Sequence, residues 1–206
     1  MIYKIQVVIS RNFNPENRML ARTEIDEAIE GLQSDDQKIR ERHFKNLLLL
    51  SEESPEQLYR GWDKLTELLQ MPEVSRKYAA IHLLANLVRV DTEDKFERMF
   101  DDFYALLSHE SPVVSPHIAG TSGKIILAKP HLRSRITSLL LDIDAVNKCR
   151  HPELLKSYVI QAFDECFDNA SKKEQSQIIE FVRNQTTSDS PKTKKAAKQF
   201  LKKWSF

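Results

Sequence analysis

The residues with chemistry to offer are scattered. Cys149-Arg150-His151, with His109, His117, His131 and Cys166 elsewhere, supplies ligand types that zinc accepts. Structural zinc favours paired spacings such as C-x2-C or H-x3-H, and neither occurs, so no metal and no cofactor is expected. Gly120-Thr121-Ser122-Gly123-Lys124-Ile125 has the outline of a phosphate loop. Its chemistry is incomplete: Ile118 stands where the motif's first Gly belongs, and Ile125 where a hydroxyl would bind magnesium. Small residues for close helix packing is the better account. No G-x-S-x-G is present, nothing places a nucleophile at an exposed turn, and no small-molecule substrate is evident, so the chain is not expected to be an enzyme.

Basic residues carry more weight. Lys192, Lys194, Lys195, Lys198, Lys202 and Lys203 crowd the last helical segment, with Lys172, Lys173 and Arg183 on the one before. Lys172, Lys173, Lys192, Lys195, Lys198 and Lys202 are the candidate anion or nucleic-acid patch, which would neutralise phosphates if they shared a face. The alternative is a solvated terminal cap, and the Arg–aromatic interleaving that stacks bases is absent. Net charge is +1 over 206 residues, but residues 1–110 hold 15 Lys/Arg against 21 Asp/Glu, and residues 111–206 hold 16 against 9. Such polarity hints at an acidic or elongated partner.

The elements that must position these groups recur with a period near forty. Prolines 72, 112, 152 and 191 are spaced by 40, 40 and 39 residues, and Pro suits the first helical position because its missing N–H would have no partner there. Counted from Asp36, Pro72, Pro112, Pro152 and Asp189, offsets +7, +8 and +11 read His43-Phe44-Leu47, Ala79-Ala80-Leu83, Ala119-Gly120-Gly123, Val159-Ile160-Phe163 and Ala196-Ala197-Phe200. That spacing places each set on one helix face. Offset +4 is basic in three of five, as Arg40, Arg76 and Lys156, with Pro116 and Thr193 in the others. Between these helices lie amphipathic partners over 16–33, 55–70 after Ser54, 92–108 with Thr92 as cap, 129–146, and 171–184 behind a Ser171…Glu174 capping box. Four Gly among 206 residues also disfavour an all-β fold with many tight turns.

The stretch Pro72-Glu73-Val74-Ser75-Arg76-Lys77-Tyr78-Ala79-Ala80-Ile81-His82-Leu83-Leu84 resembles the second helix of a HEAT repeat, and Asp36-Gln37-Lys38-Ile39-Arg40 resembles it more loosely. Pro116 and Thr193 depart from the pattern. The resemblance implies an all-α, armadillo-type fold: a right-handed α-solenoid of about five HEAT-like helix pairs over residues 15–206. The helices opening at Asp36, Pro72, Pro112, Pro152 and Asp189 would line its concave side. Each pair must bury its apolar face on the next, because alone it cannot cover it.

The expected function is a scaffold or adaptor gripping a protein partner in the concave groove. Its candidate residues are Arg40, Arg42, Lys45, Arg76, His82, Asn86, Arg89, Lys156 and Gln161, with Ser75, Glu41 and Asp164 beside them. The alternative is a nucleic-acid-binding HEAT-like protein with the DNA-glycosylase-like fold, working through the basic C-terminal half. Two cysteines make no disulfide framework, and the opening Met1–Ser10 stretch is too short to span a bilayer, so a cytoplasmic protein with no membrane partner is expected. Residues 1–14 fall outside the repeat pattern, with an arm, a short helix and a partner-binding strand all open.

Overall fold

The computed structural model describes residues 22–204, and every regular element among them is helical. Residues 1–14, expected to fall outside the repeats, residues 15–21 of the expected repeat domain, and Ser205 and Phe206 lie outside those residues. In chain order the helices are α1 Arg22–Glu30, α2 Gln37–Glu53, α3 Pro55–Leu58, α4 Trp62–Gln70, α5 Val74–Leu87 and α6 Lys95–Ala105. There follow α7 Val114–Ala128, α8 Arg133–Leu141, α9 Ile143–Val146, α10 Pro152–Cys166, α11 Lys172–Asn184 and α12 Pro191–Lys203. A 3-10 turn at Tyr59–Gly61 makes α3 and α4 one rod, and Asp142 breaks the expected 129–146 helix into α8 and α9. No described helix is long and apolar enough to cross a membrane.

Helix starts follow local chemistry. Asp36 accepts the amides of Lys38 and Ile39 at the head of α2, and Ser190 accepts that of Thr193 at the head of α12. Ser171 and Glu174 form the reciprocal capping box that their spacing demands, satisfying two amides that the helix itself cannot. Pro152 and Pro191 occupy the first turn, as expected. Pro72 and Pro112 instead lie two residues ahead of α5 and α7, in the connections that precede them. Thr92 is not the cap of α6. Asp91 takes that part, accepting the amides of Lys95 and Phe96 at 3.0 and 2.9 Å while Asp94 turns through the left-handed region at φ 54°.

The second helices of each pair, α2, α5, α7, α10 and α12, contact one another in chain order. Their shared stripe is buried, from Leu47 through Ala80, Leu83, Ile118, Ala119, Val159, Phe163 and Ala197 to Phe200. The first helices cover this layer from one side with Leu58, Trp62, Leu65 and Leu68, then Phe96, Phe100 and Phe103, then Ile136 and Leu140, then Ile178 and Val182. Gly123 is needed where α7 meets α10: a Cβ there would stand 2.7 Å from the Ala162 carbonyl oxygen. The Gly120–Lys124 stretch is therefore helix packing, not a loop.

Side-chain ties connect segments about one period apart. Asn86 reaches Ser51 across 35 residues, Lys124 reaches Asn86 across 38, Ser134 reaches Glu174 across 40, and the Trp204 indole reaches Asp164 across 40. Each such tie joins one pair to the next, so the sequence period reappears as a spatial one.

Candidate interaction face

The second helices turn one face away from the layer beneath, and that face holds a row of aromatic and imidazole rings. On α5, Tyr78, His82 and Asn86 follow at helical spacing, with Arg89 in the 3-10 turn Val88–Val90 beyond them; on α7, His117, Lys124 and Leu127 are spaced likewise. Phe44 of α2 lies 5.3 Å from Tyr78, centroid to centroid. Tyr78 is 4.7 Å from both His82 and His117, and His117 is 5.3 Å from Tyr158 of α10. Lys192 of α12 sets its ammonium 3.8 Å from the Tyr158 ring centroid, a cation–π contact. The rings thus cross α2, α5, α7 and α10, Lys192 of α12 closes the row, and each ring is half-buried.

At its centre His82 Nε2 and His117 Nδ1 are 3.0 Å apart. One ring must donate and the other accept, so the pair is satisfied only when it is not doubly charged. Burial pushes His82 down to about 4, with His117 and the Lys124 charge adding to the effect. Burial also lowers His117, helped by Lys192. At neutral pH the row is uncharged except at its Lys192 end.

Beside the rings a recess of about 470 Å³ opens between the C-terminal ends of α2, α5 and α7. Its floor is a buried polar chain. The Ser51 hydroxyl donates to the Leu48 carbonyl, Asn86 Nδ2 donates to Ser51 Oγ at 2.8 Å, and Lys124 Nζ donates to Asn86 Oδ1 at 2.8 Å. Arg89 at the rim donates to the Ser51 and Glu52 carbonyls, taking up carbonyls that α2 leaves unpaired at its end. Leu127 stands on the same rim with 46% of its surface exposed.

The basic residues at offset +4 sit elsewhere. Arg40 donates to the Ser34 and Asp35 carbonyls at 2.6 and 2.9 Å, and Arg76 reaches the Gln33 carbonyl while ion-pairing Glu73 at 3.0 Å. Lys156 is buried, held by Glu153 at 2.8 Å and Asp144 at 3.1 Å. Buried Lys77 and Lys129 follow the same rule, donating to the Leu69 and Asp91 carbonyls. These cations tie helix ends and junctions because chain ends of helices expose carbonyls and a negative dipole end. Their regular spacing records a repeated structural task, and their charge is already used. Thr193 performs it without charge, donating from its hydroxyl to the Glu153 carbonyl.

Of the other sequence candidates, His82, Asn86 and Arg89 come together on the ring face, while Arg42, Lys45 and Gln161 are simply exposed. Asp164 is occupied by Lys203 and Trp204. The lysine patch divides: Lys192 joins the ring row, and Lys195, Lys198 and Lys202 line a groove of about 420 Å³ on α12 with Lys194. Lys172 and Lys173 are exposed in the first turn of α11 and do not line that groove. Both cysteines are buried, and burial raises the Cys166 thiol to about 12. Sequence reasoning missed Phe44, Tyr78, His117, Tyr158, Lys124 and Leu127 as surface. One signal was present: Tyr78 and Tyr158 share offset +6 from Pro72 and Pro152.

No family model matches the chain, and no curated protein sequence matches it. Among solved structures, a crystal structure of an engineered protein is similar at 15% identity and a TM-score of 0.45, covering 86% of this chain and 78% of that one. A likeness at that level carries no argument about fold family or function.

Proposed function

We propose that the chain is a right-handed α-solenoid of about five HEAT-like pairs acting as a non-catalytic cytoplasmic scaffold, whose concave side holds a protein partner. The observation that carries this reading is the ring row: half-buried aromatic and neutral imidazole groups run unbroken across α2, α5, α7 and α10, and Lys192 of α12 closes its end. Such rings offer contact area at low conformational cost, which is why aromatic residues concentrate where proteins bind one another. The ties one period apart and the chain-order contacts of α2, α5, α7, α10 and α12 support the solenoid. The test is site-specific photo-crosslinking in the native cell, with the photoreactive residue placed at Tyr78 or Tyr158, or at Arg98 on the opposite rods. A discrete adduct from the ring face alone supports the reading; adducts only from Arg98 reject it.

A second reading rests on the lysine-lined groove of α12, where Lys194, Lys195, Lys198 and Lys202 converge without an ion pair among the described residues. Nucleic-acid binding there would weaken steeply with salt, because each neutralised phosphate releases counterions. Duplex DNA titrated at low and moderate salt decides it, and absence of binding at low salt removes it.

A further inference from the structure

The recess beside the ring row has a chemical preference of its own. Two cations face it, and neither Arg89 nor Lys124 forms a salt bridge among the described residues, although Lys124 also feels the charge of Glu165 on α10. Arg89 spends donors on carbonyl oxygens; Lys124 has three N–H donors, of which Asn86 takes one. Glu52 is the single acid on the lining, so the recess keeps an excess of positive charge. The polar chain beneath is directional: Asn86 gives both its amide donor and its carbonyl acceptor to protein partners, which holds Lys124 in place. Next to this cation stands Leu127, the large hydrophobic side chain most exposed to solvent among the described residues, with Ala85 and Ala128 forming the apolar wall.

From this juxtaposition we infer that the recess takes an acidic protein segment, a carboxylate on Lys124 and Arg89 with a neighbouring aliphatic side chain against Leu127. This rests on the reading of the ring face as an interaction surface and names the chemistry of what it holds. A carboxylate accepts from both cations in charge-assisted bonds, stronger than neutral ones. The aliphatic neighbour removes Leu127 from water, which a bare inorganic anion would not do. The volume, about 470 Å³, is that of a pocket for one or two side chains and not of a whole domain.

Fluorescence anisotropy with two labelled short peptides tests this, one of repeated Leu-Glu pairs and one of Leu-Gln pairs, against the whole chain. The Leu-Glu peptide is expected to bind, its Leu-Gln isostere about tenfold more weakly. Lys124→Gln and Leu127→Ser should each cost the acidic peptide about tenfold. Arg98→Gln on α6, on the opposite rods, should leave it unchanged. Equal binding of both peptides, with Tyr158→Ala weakening both, would overturn the acidic preference while leaving the ring face as an interaction surface. Binding of neither peptide overturns the recess proposal, and the crosslinking experiment then judges the ring face separately. Duplex DNA binding more tightly than the acidic peptide, and lost in Lys124→Gln, would reassign the recess to phosphate.

Discussion

Protonation of the imidazole pair should cost the fold stability in a defined window. An ordinary histidine titrates at 6.5, whereas burial pushes His82 down to about 4. Above pH 6.5 the ring is neutral in folded and unfolded chains alike, so nothing depends on pH. Between 6.5 and 4 the unfolded chain takes up a proton that the folded chain refuses, and stability falls as pH falls. Below 4 both are protonated and the loss levels off. A tenfold difference in proton affinity between the two states is worth about 1.4 kcal/mol. At pH 5 that gives about 2 kcal/mol lost, trimmed toward about 1.5 because part of the ring meets solvent. Urea unfolding followed by circular dichroism at pH 7 and pH 5 measures this, and the midpoint should drop by roughly 1 M at a typical urea slope. His43, His109 and His117 are also lowered, chiefly by burial, so the wild type loses more than His82 alone accounts for. The informative quantity is the difference from His82→Phe, which keeps a ring between Tyr78 and His117 and removes the titrating nitrogen. That variant should give up about 1 kcal/mol at pH 7 for the lost hydrogen bond and then lose less between pH 7 and 5. Equal losses in the two proteins across that interval would refute the account of the pair.

Four further outcomes follow from the packing. Gly123→Ala should destabilise by about 1–3 kcal/mol, since its Cβ would press on the Ala162 carbonyl oxygen; thermal melts read this directly. Asp91→Ala should lose about 3 kcal/mol by urea titration, because buried Asp91 accepts from the Tyr59 hydroxyl and two amides and faces Lys129. Arg76→Ala should lower stability by about 1 kcal/mol yet leave a groove-bound partner's affinity unchanged, a separation that calorimetry and a binding assay on the same sample reveal. Leu127→Ser should change the unfolding free energy read by urea titration by no more than about 0.5 kcal/mol, being an exposed substitution.

The helices were legible because their signals are local. Apolar spacing, Pro in the first turn of α10 and α12, and the Ser171–Glu174 box act within a few residues, and each reappears in the structure. The offsets that placed Ala79, Ala80 and Leu83 on the packed face worked for the same reason: burial selects small or apolar residues at fixed phase. The candidate site was legible only in part. Arg40, Arg76 and Lys156 looked available because a charge is expected to seek solvent. The carbonyls of nearby helix ends and junctions, and the carboxylates of Asp144 and Glu153, meet them at distances sequence does not display. Conversely Tyr78 and Tyr158 carry in the sequence only their shared offset of +6, and His117 stands out there only as a ligand type that zinc accepts. Only the assembled face shows them touching one another across three helices, with one side of each ring reaching solvent.

The ties that join each pair to the next also decide how the molecule comes apart. A fold whose bonds rarely reach beyond a neighbour has no single keystone, and opening begins at whichever margin is held from one side only. Amide exchange should therefore be slowest in α5 and α7 and quicken toward α12. Because the recess draws on α2, α5 and α7 alone, the lysine-coated α12 can fray while the lining of the recess stays closed.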